Sequence, residues 1–415
     1  MGEAKRVSRR QFARRGGQLG AAAWAGFHYV AADVLGAEGH TPASDRIGLG
    51  HIGYGRRGTQ LRGLPGGQVV AIADVNQKRL AAAEGQKLKG FRDYRRLLDL
   101  KEVDAVVVAT PDHWHAPNAL HAVQAGKDVY CEKPLTLTVR EGRELVEAVR
   151  RYGRVLQTGS QWRSMPGCRL GCELVRNGRA GRIHTVHAHN FPSPWEPELP
   201  AEPVPPEIDW ELWLGPSPFH PYNVNIYLPR AKPGWISFTP WSGGELTGNG
   251  SHGLDMVQWA LGTDTTGPVE VWADGPRINS VVHYRYANGV VMHLDQGGYV
   301  VGGIFQGDRG EIRLDGTKVT CLPEAIGREP VRPDDIRLYE SNNHFANWGE
   351  CMRTRARPIA DVEIGHRSAT LCHLGNIARW LAPRRLKWDP DAETFPDDPE
   401  AARYLSRPRR EPYRL

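Results

Sequence analysis

The chain has 415 residues, 40% hydrophobic and 24% charged, with a formal net charge of +6. At roughly 100–200 residues per domain that length calls for two folded domains, and no stretch approaches the ~20 unbroken apolar residues of a membrane span. The basic excess does not point to nucleic acid. Much of it sits at the two ends, in Arg6, Arg9, Arg10, Arg14 and Arg15 and again in Arg403, Arg407, Arg409, Arg410 and Arg414, whereas a nucleic-acid site gathers its cations on one face.

In chain order, residues 1–37 come first as an address. Ser8-Arg9-Arg10-Gln11-Phe12 precedes a mild apolar run from Gln18 to Val30, and Ala31-Ala32 and Gly36-Ala37 offer small residues for cleavage. Paired arginines before a short apolar region read as a twin-arginine signal peptide, which sets the expectation of an exported, periplasmic protein. Gly16, Gly17, Gly20 and Gly26 weaken the competing reading, an ordinary amphipathic helix.

The segment 44–163 reads as a first domain. Arg46–Ile52 is a short strand, and Gly53-Tyr54-Gly55-Arg56-Arg57-Gly58 follows it. The spacing G-x-G-x-x-G serves a tight turn, backbone approach to a pyrophosphate and close helix–strand packing, with the next helix aiming its amides at the phosphates. Val69–Ala73 is a second strand, ended by Asp74 about 20 residues past the first glycine, where an acid hydrogen-bonds an adenosine ribose. A carboxylate there favours NAD over NADP by repelling a 2′-phosphate; Asn76 and Lys78 lie close enough to temper that preference. Gly48, Gly50 and His51 are unusual in a first strand, since strand glycines cost stability. The alternation continues with strands at Val103–Ala109, Asp128–Cys131 and Val155–Thr158, and with helices at Pro117–Ala125 and Glu141–Arg151. Such βαβ repetition predicts a doubly wound parallel sheet.

Two loops follow strand ends: Thr110-Pro111-Asp112-His113-Trp114-His115, and Glu132-Lys133-Pro134. Further on come Gly243-Gly244-Glu245-Leu246 and Gly250-Ser251-His252-Gly253-Leu254-Asp255, then Gly365-His366-Arg367-Ser368 and Cys372-His373-Leu374-Gly375-Asn376. With the glycine loop, these blocks resemble the glucose–fructose oxidoreductase / inositol dehydrogenase (Gfo/Idh/MocA) family, in an exported bacterial branch. The resemblance runs from about Arg46 to Leu415. It implies a Rossmann domain followed by an α+β domain at 164–390, whose mostly antiparallel sheet covers the nicotinamide and often builds a homo-oligomer interface, and a tail at 391–415. Strands at Ile183–Asn190, Val269–Ala273, Val281–Tyr286, Val290–Gln296 and Glu311–Leu314 are compatible with that. The family commonly carries an aspartate four residues before the histidine of this block; here that position is Gly248.

The implied function is NAD-dependent oxidation of a sugar, polyol or glycoside. Lys133 and His252 are the candidate catalytic residues, both suited to proton transfer at a substrate hydroxyl. Cofactor contacts are expected from Gly53, Tyr54, Gly55, Arg56, Arg57, Gly58, Asp74, Thr110, Pro111, His113, His115, Glu132 and Lys133. Plainer readings stand beside these: Lys133 paired with Glu132, or His113 and His115 as packed loop residues. Substrate contacts are expected from Lys133, Arg163, His189, Asp255 and Trp241. The aromatic residues between Trp195 and Trp241 serve either sugar stacking or core packing.

No metal is expected. His187 and His189 share a strand face and with His252 would make a three-histidine set, a minor alternative. The six cysteines form no C-x-x-C pair and are expected as buried thiols. Two further readings remain open: redox-neutral turnover, in which NAD oxidises a ring hydroxyl transiently and is restored after elimination or isomerisation, and a non-catalytic carbohydrate- or nucleotide-binding module.

Overall fold

The computed structural model describes residues 46–230, 233–297 and 302–413. The twin-arginine segment falls outside them. The first half alternates strands and helices: β1 (Ile47–Ile52), α1 (Arg56–Gln60), β2 (Gly67–Ala73), α2 (Gln77–Glu84), β3 (Lys89–Phe91), α3 (Tyr94–Leu98), β4 (Ala105–Val108), α4 (His115–Gln124), β5 (Asp128–Cys131), α5 (Val139–Arg151) and β6 (Leu156–Thr158). All pairings are parallel and the strand order is β3-β2-β1-β4-β5-β6. This is the 3-2-1-4-5-6 order of a dinucleotide-binding sheet.

The apolar run of β4 is buried on both faces. Val106 and Val108 join the layer beneath α4 and α5, while Ala105 and Val107 face the opposite layer, as the strand period requires. The glycines of β1 have a steric cause. A Cβ on Gly48 would lie 1.8 Å from the Glu102 carbonyl oxygen, and one on Gly50 would lie 2.5 Å from the Leu97 side chain.

The second half supplies α6 (Pro166–Arg176), β7 (Ile183–His189), α7 (Trp210–Leu214), α8 (Val224–Tyr227), α9 (Gly244–Gly248), α10 (Gly250–Leu261), β8 (Glu270–Ala273), β9 (Val282–Arg285), β10 (Val291–Gln296), β11 (Gly302–Gly307), β12 (Gly310–Asp315), β13 (Lys318–Leu322), α11 (His344–Thr354), α12 (Val362–Trp380), β14 (Arg385–Lys387) and α13 (Pro399–Arg403). Its eight-stranded sheet has the order β13-β12-β11-β7-β10-β9-β8-β14, and only β7 and β10 (Val291–Gln296) pair in parallel. Val186, Ala188, Met292 and Leu294 pack under α6, α10 and α12. On the opposite face, His187, His293, His283 and Trp272 stand in cross-strand register.

The two halves share elements. Trp348, Cys351 and Met352 of α11 pack on Leu49, Val107 and Tyr130 and so cover one face of the parallel sheet. The segment expected as a separate tail is built into the fold: Phe395, Ala401 and Leu405 are core residues, Arg409 pairs with Glu141 of α5 at 2.8 Å, and Arg410 with Glu211 of α7 at 2.5 Å. The terminal basic residues thus act as a strap. All six cysteines are free thiols, five of them buried.

Candidate active site

The glycine loop has the geometry that its spacing implies. Gly53 sits at φ +84°, and a Cβ there would meet the Ala109 carbonyl oxygen at 2.8 Å; one on Gly58 would meet the Gly53 carbonyl oxygen at 2.2 Å. Thr110 and Pro111 line the adjacent loop, with the Thr110 methyl 3.0 Å from the same Gly53 Cβ position. These contacts leave bare backbone at the carboxyl edge of β1 and β4, where a pyrophosphate is cradled in such sheets. Tyr54 differs from expectation. Its ring is buried edge-on to His51, and its amide donates to Asp74 Oδ2 at 2.7 Å. It shapes the loop rather than touching a cofactor with its side chain.

Asp74 ends β2 and also accepts from the Asn76 amide at 2.9 Å. Its charge partner is Arg79, at 3.2 Å, a residue that the sequence reading passed over. Lys78 instead pairs with Glu207, and Asn76 caps α2, so neither modifies the ribose site as anticipated. The Arg79 guanidinium also lies 3.4 Å from the Cβ position of Gly55, leaning over the glycine loop. Its i+5 offset from Asp74, across a strand end and a helix cap, is the signal that was available.

His113 and His115 are corrected. His113 Nε2 meets the Trp213 carbonyl at 2.9 Å; His115 meets the carbonyls of Pro134 and Thr110 at 2.9 and 3.0 Å. Both rings are buried. They tie the two sheet-edge loops to each other and to α7; both ring nitrogens of His115 are engaged, while His113 Nδ1 is buried without a hydrogen-bond partner among the described residues. Burial pushes the His113 imidazole down to about 3.

Glu132 is held by Arg57 at 2.7–2.8 Å and by Gln161 at 3.2 Å. The plain pairing of Lys133 with Glu132 therefore does not form. Lys133 Nζ donates instead to the Gly248 carbonyl at 2.6 Å, bridging the end of β5 to α9. Burial lowers its pKa, opposed by the charges of Glu132, Asp112 and Glu245. His252 lies beside it on α10, stacked on Trp162 with ring centroids 5.1 Å apart. Burial, then the charges of Lys133 and Arg57, holds its pKa well below the ordinary imidazole value. A partly desolvated amine and a neutral imidazole at the carboxyl edge of a parallel sheet can together exchange a proton with a hydroxyl.

The remaining expected substrate contacts are redistributed. Arg163 is fully buried and forms a bidentate pair with Asp255 at 2.8–3.0 Å; it also binds Asp264. Asp255 further accepts from Ser368 at 2.7 Å. These two charges satisfy each other inside the core and do not reach substrate. Trp241 is wholly buried, donating to Ser217 at 3.0 Å within a cluster with Trp210, Trp213 and Phe238. The aromatic face beside His252 is that of half-buried Trp162, one residue before Arg163.

His189 packs on Phe191 beside Asn249 and Gly250 in a small recess, while His187 pairs with Asp295 at 2.8 Å on the outer sheet face. The three-histidine set is thus not assembled, and among the described residues no group of three metal-ligating side chains occurs.

Fold and site together define a dinucleotide-dependent oxidoreductase with a two-domain architecture. Residues 47–160 match the oxidoreductase family's NAD-binding Rossmann fold, and residues 182–415 match the oxidoreductase family's C-terminal alpha/beta domain. The chain therefore belongs to the Gfo/Idh/MocA oxidoreductase family. It is 28% identical over 307 residues to inositol 2-dehydrogenase 2 of Saccharopolyspora erythraea, covering 69% of this chain and 78% of that one. It is 34% identical over 143 residues to 1,5-anhydro-D-fructose reductase of Ensifer adhaerens, covering 32% and 43%. In fold it is similar to the WlbA dehydrogenase of Bordetella pertussis, solved with NADH and UDP-GlcNAcA, at a TM-score of 0.60 and 21% identity, covering 83% and 99%.

Proposed function

We propose that this protein is an NAD-dependent oxidoreductase that oxidises a hydroxyl-bearing carbon of a sugar or polyol. The observation that carries the reading is Lys133: half-buried at the end of β5, released from Glu132 by Arg57, and next to a neutral His252. Gly53, Gly55 and Gly58 would cradle the pyrophosphate and Asp74 the adenosine ribose. When bound, NAD supplies the acceptor for the hydride that leaves the carbinol carbon. The chain's own part is to orient that carbinol, shield it, and take the hydroxyl proton on Lys133 Nζ or His252. The Trp162 ring, held against His252, offers an apolar face to the C–H side of a pyranose or cyclitol.

The twin-arginine segment supports action after export, and family resemblance supports a homo-oligomer joined through the outer face of the eight-stranded sheet, where His187, His293, His283 and Trp272 align. Signal-dependent export of a reporter fusion and light scattering of the purified protein test these two points.

The central test is Lys133→Ala assayed with NAD and a panel of cyclitols and aldoses. Turnover should fall by ~10²–10⁴-fold, while NADH affinity, read by fluorescence, is retained. A wild-type protein that binds NADH but turns over no polyol would instead mark a non-catalytic binding module. Denaturing the purified protein and weighing what it releases separates a retained, recycled nucleotide from an exchangeable one.

A further inference from the structure

We propose that Glu245 is the carboxylate that works beside Lys133 on the substrate, taking over the place left empty by Gly248, with Arg230 and Asn249 holding it in position. The inference rests on the reading of this site as a polyol oxidoreductase centre and adds the residue that recognises a second substrate hydroxyl.

The space at position 248 is already filled. A Cβ on Gly248 would meet Glu245 Oε2 at 3.0 Å and the Ile236 Cδ1 methyl at 2.8 Å. A carboxylate thus arrives at that point from three residues earlier on α9, the spacing at which helical side chains are neighbours. The Gly248 carbonyl is also the acceptor of Lys133 Nζ, at 2.6 Å, so ammonium and carboxylate bracket one residue. Glu245 is fixed from two sides: Arg230 Nε reaches Oε1 at 3.1 Å, and Asn249 Nδ2 donates to Oε2 at 2.8 Å.

The other acids near Lys133 are more deeply buried. Glu132 is taken by Arg57 and Gln161. Asp112 is buried under the Ser242 hydroxyl, which donates to it at 2.6 Å. Glu245 keeps about a quarter of its side chain exposed, so of the three it has the most carboxylate surface left for a ligand. The groups that act electrically on Lys133 are Glu132, Asp112, Glu245 and Arg230, together with His252 and the Cys372 thiol behind it. Glu245 favours the charged ammonium and so sets how readily Lys133 accepts a proton. Its oxygens accept a hydrogen bond from a hydroxyl adjacent to the one that Lys133 contacts. The ligand chemistry this selects is a neutral, vicinally hydroxylated ring.

The test uses full-length holoenzyme as Glu245→Gln, Glu245→Ala and the carboxylate-swap variant Glu245→Ala/Gly248→Asp. Myo-inositol and D-glucose serve as turnover probes, and 13C-reductively methylated Lys133 is titrated by NMR. Expected for Glu245→Gln is a kcat/KM loss of ~10–100-fold with NADH affinity unchanged, and a Lys133 titration moved to lower pH. The swap variant should recover both relative to Glu245→Ala. Unchanged kcat/KM and an unmoved Lys133 titration in Glu245→Gln would overturn the proposal, as would loss of NADH affinity in every variant. If the wild type turns over neither probe, the function reading fails on its own, and the lysine titration still decides whether Glu245 governs Lys133.

Discussion

Asp255 and Arg163 show what a single residue's surroundings decide. Both are charged, both follow motif positions at the mouth of the site, and sequence alone places them against substrate. In the fold they are about 1% exposed and neutralise each other. Asp255→Ala leaves Arg163 paired with Asp264 but removes its bidentate partner, so it should destabilise the protein by about 1.5–3 kcal/mol, measured by urea unfolding, with KM for substrate unmoved in whatever fraction folds. A KM rise without destabilisation would return Asp255 to the substrate pocket. Arg79 is the converse case. It was silent in the sequence, yet it ion-pairs Asp74 at 3.2 Å while staying partly exposed. It partly offsets the carboxylate that repels a 2′-phosphate. Arg79→Ala should sharpen the preference for NADH over NADPH by about 5-fold, or about 1 kcal/mol, read as the ratio of the two dissociation constants.

At the scale of elements, the parallel half was legible because its physics is local. Buried strands such as β4 are unbroken runs of Val and Ala, glycines mark the turn, and an acid ends β2. The five strands anticipated there fall within about two residues of their observed bounds, while the three-residue β3 carried no signal long enough to read. The second sheet was half legible. β7, β9 and β10 alternate cleanly, but β11 (Gly302–Gly307) lacks that pattern: GGIFQG is glycine-rich because Gly302 and Gly307 lie against the backbone of neighbouring segments. What no local pattern carries is the role of α12. Its motif residues reach away from the helix to the site loops. His373 Nε2 meets the Thr136 carbonyl at 2.9 Å, just past the Lys133 loop, and Asn376 Nδ2 donates to the Gly243 carbonyl at 2.8 Å, at the start of α9. One helix therefore sets the spacing between Lys133 and Gly248. Asn376→Ala strands a buried carbonyl and the Ser193 hydroxyl that Asn376 also receives; a loss of about 1–3 kcal/mol is expected. A drop in kcat at saturating NAD should accompany it, with NADH affinity kept. An unchanged kcat in the folded variant would make α12 a purely structural support.

Across the whole molecule, the response to acid follows from how many histidines the fold buries uncharged. Burial is the leading cause that lowers His51, His344 and His373 to about 4 and His113 to about 3. In the unfolded chain each takes a proton near pH 6.5. Because the folded pKa is depressed, each contributes stability that is fully present above about pH 6.5 and is lost as pH falls through the folded value, at up to about 1.4 kcal/mol per pH unit per histidine. The ion-paired carboxylate Glu363 acts in a lower window. Glu363, held by Arg143 and Arg367, is brought down to about 2, so its share is lost only below about pH 4.5. Stability should therefore begin to fall below pH 6.5, well before Glu363 protonates. His51 is the simplest case, since its side chain is wholly buried and neither ring nitrogen makes a hydrogen bond of good geometry among the described residues, the Gly58 backbone offsetting burial only in part. His51→Leu removes two desolvated polar atoms. It should match or exceed wild-type stability at pH 7.5 and lose less on going to pH 5, by roughly one histidine's share. Urea midpoints at pH 7.5, 6.5, 5.5 and 5.0 measure this. Parallel curves for variant and wild type would show that His51 is not among the groups that set the acid limit.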